Sequence, residues 1–283
     1  MKLKTYFNIY YKHRVDKANL YLKLYLYLIV PIKYLLNVPY FKKKIDLDNF
    51  SSQNSLLFDK DLNYLFEYFN SDKGEKFVNQ YDQPIKRNSK IKIDGHDYAK
   101  YYKNIFEPLK NKDVNILEIG SFYGNAAAAI FFYLEKAKIY SADIFPDLFS
   151  YKSKRISNFY VNSSQEDSIQ ASIINLNKDY EIIIEDACHS YKDQIISLFM
   201  LFPLINSGGY FITEELDFPD TRDDMNLNKE KPTLRDILLN IKNGNDFNNS
   251  LITSEQKEYF LKNFDNISIL KGNFNEIAII SKK

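Results

Sequence analysis

The sequence contains no tryptophan, one cysteine, three histidines and eight glycines among its 283 residues. A single cysteine, Cys188, excludes an internal disulfide and is compatible with a reducing cytoplasm, where we expect the protein to be located. A composition of 45% apolar and 27% charged residues excludes disordered and collagen-like chains. These absences leave a globular protein of one large domain, or of one domain with an appendage, as the expectation.

The sequence also lacks a long uninterrupted apolar run. Its most apolar stretch, Leu20–Leu36, is interrupted by Lys23, Pro31 and Lys33, and falls short of the roughly 20 apolar residues that a membrane-spanning helix needs. The first residues carry neither an apolar signal region nor a small-residue cleavage site. We therefore expect neither a transmembrane segment nor export.

Charge is distributed unevenly along the chain. Residues 1–45 carry ten Lys or Arg and one acid, whereas the remainder carries 28 basic and 36 acidic residues. Leu20, Leu24 and Leu28 recur at helical spacing, which predicts a helical N-terminal extension within residues 1–59. This segment either lies on an anionic membrane surface, at the inner face of the membrane, or packs on the main domain or on a second subunit of a homo-oligomer.

Beyond this extension, residues 60–112 are predicted as a helical lead-in with a polar lid over Ser71–Gly95, and residues 113–283 as the main domain. In that domain, apolar runs of strand length alternate with helical stretches. This alternation predicts a doubly wound, Rossmann-like α/β fold with a mostly parallel sheet, closed by a C-terminal antiparallel hairpin. The predicted strands are Val114–Ile119, Ile139–Ala142, Phe159–Val161, Tyr180–Ile184 and Tyr210–Thr213, followed by Ile267–Leu270 and Glu276–Ile280 in the hairpin.

A glycine turn follows the first predicted strand. Glu118 lies at the end of that strand, Gly120 permits a sharp turn, and Gly124 lies where the next helix must approach closely. Asp143 ends the second strand, 25 residues after Glu118, where its carboxylate can accept hydrogen bonds from two ribose hydroxyls. Because Phe122 occupies the middle position of a dinucleotide fingerprint and no phosphate-binding lysine follows, the pattern favours an adenosine cofactor other than NAD or ATP.

Acidic residues also follow two later predicted strands. Asp186 and His189 come after Tyr180–Ile184, and Glu214 and Glu215 come after the next strand. Such groups are costly to hold together at buried strand ends unless a cation or a proton transfer uses them. We therefore predict an Mg²⁺ or Mn²⁺ site formed by Asp186, Glu214 and Glu215, with neutral His189 as the general base.

These motifs resemble those of the class I S-adenosylmethionine-dependent methyltransferases over about Val114–Lys282. An acidic-x-Gly turn is the first motif of that family, and a ribose-binding acid is its second. The resemblance implies S-adenosylmethionine as the cofactor. The cofactor-binding residues that it implies are Glu118, Gly120, Ser121 and Gly124, then Asp143 for the ribose, and Ser164 or Gln165 near the adenine.

A closer resemblance is to the metal-dependent sugar O-methyltransferases that mature macrolide antibiotics such as mycinamicin. Their Asp-Gly-Ser-His motif corresponds to Asp186–His189, with Ala187 and Cys188 in place of Gly-Ser. Upstream, Ser71–Gly74 and His96–Tyr98 resemble the Thr-Asp-Lys-Gly and His-Gly-Tyr elements of the same group. The substrate contacts implied in this way are His96 and Tyr98.

A sugar hydroxyl is a weak acid, so its methylation needs a cation on the oxygen and a base for the proton. The resemblance thus implies an enzyme that methylates a hydroxyl of a nucleotide sugar or a lipid-linked glycan, with no nucleic-acid partner. Two alternatives stay open. One is methylation of a non-sugar vicinal hydroxyl, as in a catechol, and the other is a non-catalytic Rossmann-like protein that binds a membrane surface.

Overall fold

A computed structural model describes residues 1–12, 15, 18–41, 44–78 and 91–283. The strands are β1 Ile45–Asp46, β2 Lys76–Val78, β3 Lys92–Asp94, β4 Asn115–Ile119, β5 Lys138–Asp143, β6 Tyr151–Lys152, β7 Ile156–Tyr160, β8 Tyr180–Glu185, β9 Ile205–Thr213, β10 Phe264–Lys271 and β11 Glu276–Lys282. The α-helices are α1 Leu3–Tyr10, α2 Leu20–Phe41, α3 Leu47–Gln53, α4 Leu62–Tyr68, α5 Ala99–Phe106, α6 Asn125–Tyr133, α7 Glu166–Ser172, α8 Tyr191–Leu201, α9 Phe218–Thr221, α10 Leu234–Lys242 and α11 Ser254–Asn263.

Seven strands form one sheet in the order β10-β11-β9-β8-β4-β5-β7. Neighbouring strands from β7 to β9 are parallel, and β11 is antiparallel to both β9 and β10. The chain builds outward from β4 through β5 to β7 and then returns to β8, so the winding direction switches between β4 and β8. This confirms the predicted α/β class, its mostly parallel sheet and its C-terminal antiparallel hairpin.

The register brings the carboxyl ends of the central strands to one edge of the sheet. Ile119 of β4 pairs with Ala142 of β5 on one side and with Glu185 of β8 on the other. Glu185 pairs in turn with Thr213 of β9. The residues that follow these four strands are therefore neighbours, at the edge where open parallel sheets bind ligands.

Helices cover both faces of the sheet. Along β8, Ile182 and Ile184 join the core cluster beneath α4, α5 and α6, whereas Ile183 joins the cluster beneath α8, α10 and α11. Successive side chains of a strand point to opposite faces, so a strand that is apolar at every position is one buried from both sides.

Three strand starts were wrong, and part of the lid has regular structure. β9 begins at Ile205, five residues before the predicted Tyr210, and β10 begins at Phe264, three residues before the predicted Ile267. β7 begins three residues before the predicted Phe159–Val161, because Ile156 already pairs with Ile139 of β5. The predicted polar lid contains the antiparallel pair β2–β3, and its residues 79–90 lie outside the described residues. The predicted domain limits 1–59, 60–112 and 113–283 remain predictions.

The helices α1 and α2 confirm the predicted helical extension. They lie antiparallel: the hydroxyl of Tyr34 donates to the carbonyl oxygen of Met1 at 2.9 Å, and Phe7 stacks on Tyr27 with centroids 5.4 Å apart. A small apolar cluster between them is separate from the two clusters around the sheet. Within the described residues, no helix has both the length and the apolar character needed to cross a membrane.

The guanidinium group of Arg155 closes the C-terminal end of α6, the helix that begins beside the glycine turn. It donates hydrogen bonds to the carbonyl oxygens of Phe131 (2.8 Å), Leu134 (3.0 Å) and Ala137 (3.2 Å). We expect Arg155→Met to lower the free energy of unfolding by about 2 kcal/mol, because these carbonyl groups lose a charged donor. Urea unfolding of the variant and the parent protein measures the difference.

Arg155→Lys is the matched control, because it keeps the charge but lacks the planar fork that reaches three carbonyl groups. It should restore less than half of the lost stability. A change below about 0.5 kcal/mol for Arg155→Met, the size expected of an ordinary surface substitution, would show that the contact contributes little.

Candidate active site

A cavity of about 830 Å³ opens at the carboxyl edge of the sheet. Its walls come from the ends of β4 and β5, from residues that follow β4, β5, β7, β8 and β9, and from the segment before the sheet. The predicted site residues that line it are Glu118, Gly120, Ser121, Asp143, Ser164, His96, Asp186, His189 and Glu215. Outside its lining lie the predicted residues Gly124, Gln165, Tyr98 and Glu214.

The turn after β4 and the last residue of β5 bring two predicted cofactor residues to this cavity. Gly120 has a φ of +93°, and a Cβ atom there would lie 1.9 Å from the carbonyl oxygen of Asp186, so the turn requires glycine. The Asp143 carboxylate accepts hydrogen bonds from the backbone N–H groups of Phe122 (2.8 Å) and Phe145 (2.7 Å), one on each oxygen. Each of these oxygens keeps a second lone pair for a ligand hydroxyl.

Two other predicted cofactor residues, Gly124 and Gln165, lie outside the cavity lining and precede helices. Gly124 precedes α6 with a φ of +78°, and a Cβ atom there would lie 2.4 Å from the ring of Phe149, so packing requires this glycine. Gln165 precedes α7 and lies outside the cavity lining, whereas the adjacent Ser164 is part of it. Of the two residues predicted near the adenine, the structure brings only Ser164 to the cavity.

A buried lysine joins the two acidic strand ends. The ammonium group of Lys73 forms an ion pair with Asp186, which follows β8, and lies 2.6 Å from Oε1 of Glu214, which follows β9. Tyr102 of α5 donates its hydroxyl proton to the same Glu214 oxygen. The Glu214 carboxylate is therefore bound by two donors of the protein.

Asp186, His189 and Glu215 form a second group on the cavity surface. Nε2 of His189 lies 3.6 Å from Oδ1 of Asp186 and 3.5 Å from Oε2 of Glu215. Nε2 of His96 approaches the other oxygen of Glu215 at 3.2 Å. Asp186, His189 and Glu215 can each offer one metal-ligand atom within 4.8 Å of the others. Within the described part of the chain this group contains His189 in place of the predicted Glu214, which is bound by the donors above.

Burial shifts the pKa values of these groups. It raises the pKa of Glu118 to about 7 and also raises the pKa values of Asp186, Glu214 and Glu215, whose carboxylates lose water and repel one another. Burial, with the nearby lysine charge, lowers the pKa of His189 to about 3. The imidazole is therefore neutral at pH 7. The clustered negative charge of the carboxylates would stabilise a further cation beside them.

Two residues of the ion-pair network were not assigned a role from the sequence. Lys73 lies in the Ser71–Gly74 element, where the resemblance marked the segment without indicating the contact across to the strand ends. Tyr102 lies on the buried face of α5, and no motif or spacing distinguished it from the other core tyrosines.

Tyr98 was predicted to contact the substrate, but it lies outside the cavity lining. It is fully buried, its ring stacks on His96 with centroids 5.3 Å apart, and its hydroxyl donates to the carbonyl oxygen of Glu276 at 3.4 Å.

Cys188 lies at the cavity and donates from Sγ to Asp193 at 2.6 Å. Burial and that carboxylate raise the pKa of Cys188 to about 12, which suppresses the nucleophilic thiolate.

The strand order and the cavity at its switch point define a Rossmann-like α/β fold. In structure, the chain is similar to the MycE methyltransferase of the mycinamycin biosynthetic pathway, solved in complex with Mg and SAH. The TM-score is 0.55 at 17% sequence identity, and the match covers 79% of this chain and 55% of MycE. The complex of MycE with Mg, SAH and mycinamycin VI gives the same TM-score of 0.55.

In sequence, the chain is similar to 8-demethyl-8-alpha-L-rhamnosyl tetracenomycin-C 2'-O-methyltransferase of Streptomyces olivaceus. The two are 25% identical over 128 residues, which cover 43% of this chain and 33% of that protein. The chain thus matches about a third of this curated relative and about half of MycE. No protein-family model matches the chain. These similarities confirm the resemblance that the motifs predicted.

The buried ion pairs of Lys73 generate a test of the site. We expect Lys73→Met to lower the free energy of unfolding by about 3 kcal/mol or more at pH 8, because two buried carboxylates lose their cationic partner. The deficit should shrink as pH is lowered. A carboxyl group whose pKa is higher in the folded than in the unfolded protein lowers the free energy of unfolding at a pH above both pKa values. This effect disappears at a pH below both values, where the group is protonated in both states.

Lys76→Met is the matched control, because Lys76 is half-exposed and pairs with exposed Asp94 on the neighbouring strand. Its loss should destabilise the protein much less than the loss of Lys73, because water screens an exposed ion pair. Urea unfolding across pH measures both variants. Equal effects of the two substitutions, or a Lys73→Met deficit that does not change with pH, would contradict the charge balance described here.

Proposed function

We propose that the chain is an S-adenosylmethionine-dependent, divalent-metal-assisted O-methyltransferase that acts on a sugar hydroxyl. The observation that carries this proposal is the group Asp186, His189 and Glu215, which lines the same cavity as the Gly120 turn. The cavity thus places groups suited to binding a cation and accepting a proton beside groups suited to binding a nucleoside.

The cavity residues fit an adenosine cofactor. Oε2 of Glu118 is buried without a hydrogen-bond partner among the described residues, so it can accept a donor from the methionine end. Gly120 and Ser121 would lie along the same end, Asp143 would accept the ribose hydroxyls, and Ser164 would lie near the adenine. When bound, S-adenosylmethionine supplies a methyl group on a sulfonium that is open to in-line attack.

The donor set fits a hard divalent cation. Asp186 and Glu215 present carboxylate oxygens, the ligands that Mg²⁺ prefers, and Oε2 of Glu215 is buried without a hydrogen-bond partner among the described residues. These two residues would hold the cation directly. Glu214 would join them only if the ammonium group of Lys73 moved away. When bound, Mg²⁺ supplies a Lewis acid that makes an acceptor hydroxyl more acidic.

His189 would act as the general base. Burial and the nearby lysine charge lower the pKa of its imidazole, which keeps the ring neutral at pH 7, and the adjacent carboxylates of Asp186 and Glu215 would stabilise the imidazolium formed by proton transfer. Nε2 faces Asp186 and Glu215, so it can take the proton of a hydroxyl bound between them. Phe218 packs edge-on against the ring, with centroids 5.4 Å apart, and restricts its orientation.

Two observations support a sugar acceptor. The Streptomyces olivaceus relative is named for 2'-O-methylation of a rhamnosyl tetracenomycin, and MycE was solved with mycinamycin VI. In this chain, Asp72, His96 and Arg222 add polar side chains to the cavity wall beside the metal-ligand group. Such groups can bind the several hydroxyls of a sugar, either in a nucleotide sugar or in a glycan precursor.

A methyl-transfer assay tests this function. The purified protein with S-adenosylmethionine and MgCl₂ should add one methyl group to a member of a panel of nucleotide sugars and glycosides, as measured by mass spectrometry. EDTA should stop transfer, and excess Mg²⁺ should restore it. Failure to bind S-adenosylmethionine would exclude the proposed activity, and transfer only to a catechol in the same panel would exclude the sugar acceptor.

Calorimetric titration with Mg²⁺ separates the metal ligands from the base. Asp186→Asn and Glu215→Gln should each weaken Mg²⁺ binding by at least about tenfold, because each removes a charged oxygen ligand. His189→Ala should change Mg²⁺ binding by less than about threefold but lower the transfer rate by at least about 100-fold. Glu214→Gln should weaken Mg²⁺ binding less than Glu215→Gln does.

Glu255→Gln, on the exposed surface of α11, is the control for removing a glutamate charge. If His189→Ala lost Mg²⁺ affinity as strongly as Asp186→Asn, His189 would be a metal ligand and not the base. If Glu214→Gln matched Glu215→Gln, all three carboxylates would bind the cation directly.

A further inference from the structure

The outer face of α2 is an exposed apolar surface. Leu20, Leu28 and Leu35 are 70%, 74% and 68% exposed, although leucine side chains are usually buried in helices of globular proteins. These leucines are eight and seven residues apart, about two helical turns each time, so they lie on one side of the helix. The other large exposed side chains of this face are Tyr21, Leu24, Tyr25, Tyr27, Ile32 and Leu36.

The opposite face of α2 already has its packing partner. Leu26 and Val30 are 7% and 1% exposed and lie against Tyr6 and Tyr11 in the small cluster shared with α1. The exposed leucines are therefore not needed to hold α1 and α2 together. A continuous exposed face of leucine and tyrosine side chains is typical of an interaction site.

The charges beside this face identify its partner. Residues 1–45 contain ten basic residues and one acid, and Lys4, Lys12 and Lys33 are exposed. Lys23 is half-buried on α2 itself, one turn from the exposed Leu20 and Tyr27. Two copies of such a face would bring like charges together, whereas an anionic lipid surface offers negative charge around an apolar interior.

We propose that the helix pair α1–α2 binds the surface of an anionic lipid bilayer, with the outer face of α2 inserted among the lipids. The 22 residues of α2 make a helix about 33 Å long that would lie parallel to the surface, with lysine side chains at the headgroup level. This contact is independent of the proposed methyl transfer, since none of the catalytic residues belongs to the helix pair.

The helix pair is fastened to the side of the protein that carries the cavity. The hydroxyl of Thr5 donates to Oδ1 of Asp147 at 2.9 Å, and the backbone N–H of Lys2 donates to the other oxygen of the same carboxylate at 2.5 Å. Asp147 lies two residues after Phe145, which lines the cavity. Binding through α2 would therefore hold the carboxyl edge of the sheet close to the lipid surface.

Vesicle sedimentation with the full chain tests this proposal. The protein should sediment with vesicles of equimolar phosphatidylcholine and phosphatidylglycerol, weakly or not at all with phosphatidylcholine alone, and less as salt is raised. Leu28→Glu/Leu35→Glu should reduce binding by at least about tenfold, because each substitution places a charge in the apolar layer. Lys23→Glu should reduce it by about fivefold or more through charge alone.

Leu56→Glu is the matched control, because Leu56 is 73% exposed on a different part of the chain, and its binding should equal that of the parent protein. Circular dichroism and urea unfolding, measured for every variant, show that the main domain remains folded. Equal binding to both vesicle types, or full binding by Lys23→Glu and the double variant, would overturn the proposal. A dimer in light scattering that Leu28→Glu/Leu35→Glu dissociates, without vesicle binding by the parent, would assign the face to a second copy.

Discussion

The buried ammonium group of Lys73 is the contact on which the geometry of the site depends. The parallel sheet places the carboxylates that follow β8 and β9 side by side, where like charges with little water repel each other. Lys73 comes from the segment before the sheet, so it offsets this charge and also ties that segment to the strand ends. Desolvating such a pair is costly, and the hydrogen bond from Tyr102 to Glu214 helps to offset that cost. A segment that precedes the fold in sequence thereby becomes a wall of the cavity.

The strand order then determines which functions can be neighbours. β4 and β8 are adjacent, although β5 and β7 lie between them in the chain. The glycine turn after β4 and the acidic group after β8 are therefore built by distant parts of the sequence but meet at one point. At that point a side chain on Gly120 would collide with the carbonyl oxygen of Asp186. The close approach of the two backbones brings the turn that would bind the methyl donor next to the acidic group that would bind the acceptor hydroxyl.

The sequence is informative about the strand ends for a physical reason. Each central strand is buried on both faces, so it reads as an apolar run, and an acid at its end is conspicuous. Parallel alternation then brings those ends together. No such pattern predicts that Glu214 pairs with Lys73 whereas Glu215 faces His189. Glu215 adopts a positive φ of 46°, so the two adjacent side chains face different partners. Nor does any periodicity indicate that Lys73 would cross to β8 and β9, because its segment belongs to no strand of the sheet.

Charge asymmetry links the N-terminal helix pair to the rest of the protein. Residues 1–45 hold ten basic residues and one acid, whereas the remainder holds 28 basic and 36 acidic residues. An anionic surface attracts the first part and repels the second, so charge would orient the protein before any leucine enters the lipid. Because Asp147 fastens α1 beside the cavity, that orientation also determines which side of the sheet faces the surface. An acceptor sugar attached to a lipid would then be presented to the carboxyl edge of the sheet, whereas a freely diffusing nucleotide sugar would gain nothing from the contact. Of the two proposed sugar acceptors, a lipid-linked glycan is therefore the one that would benefit from the proposed contact of α2 with a lipid surface.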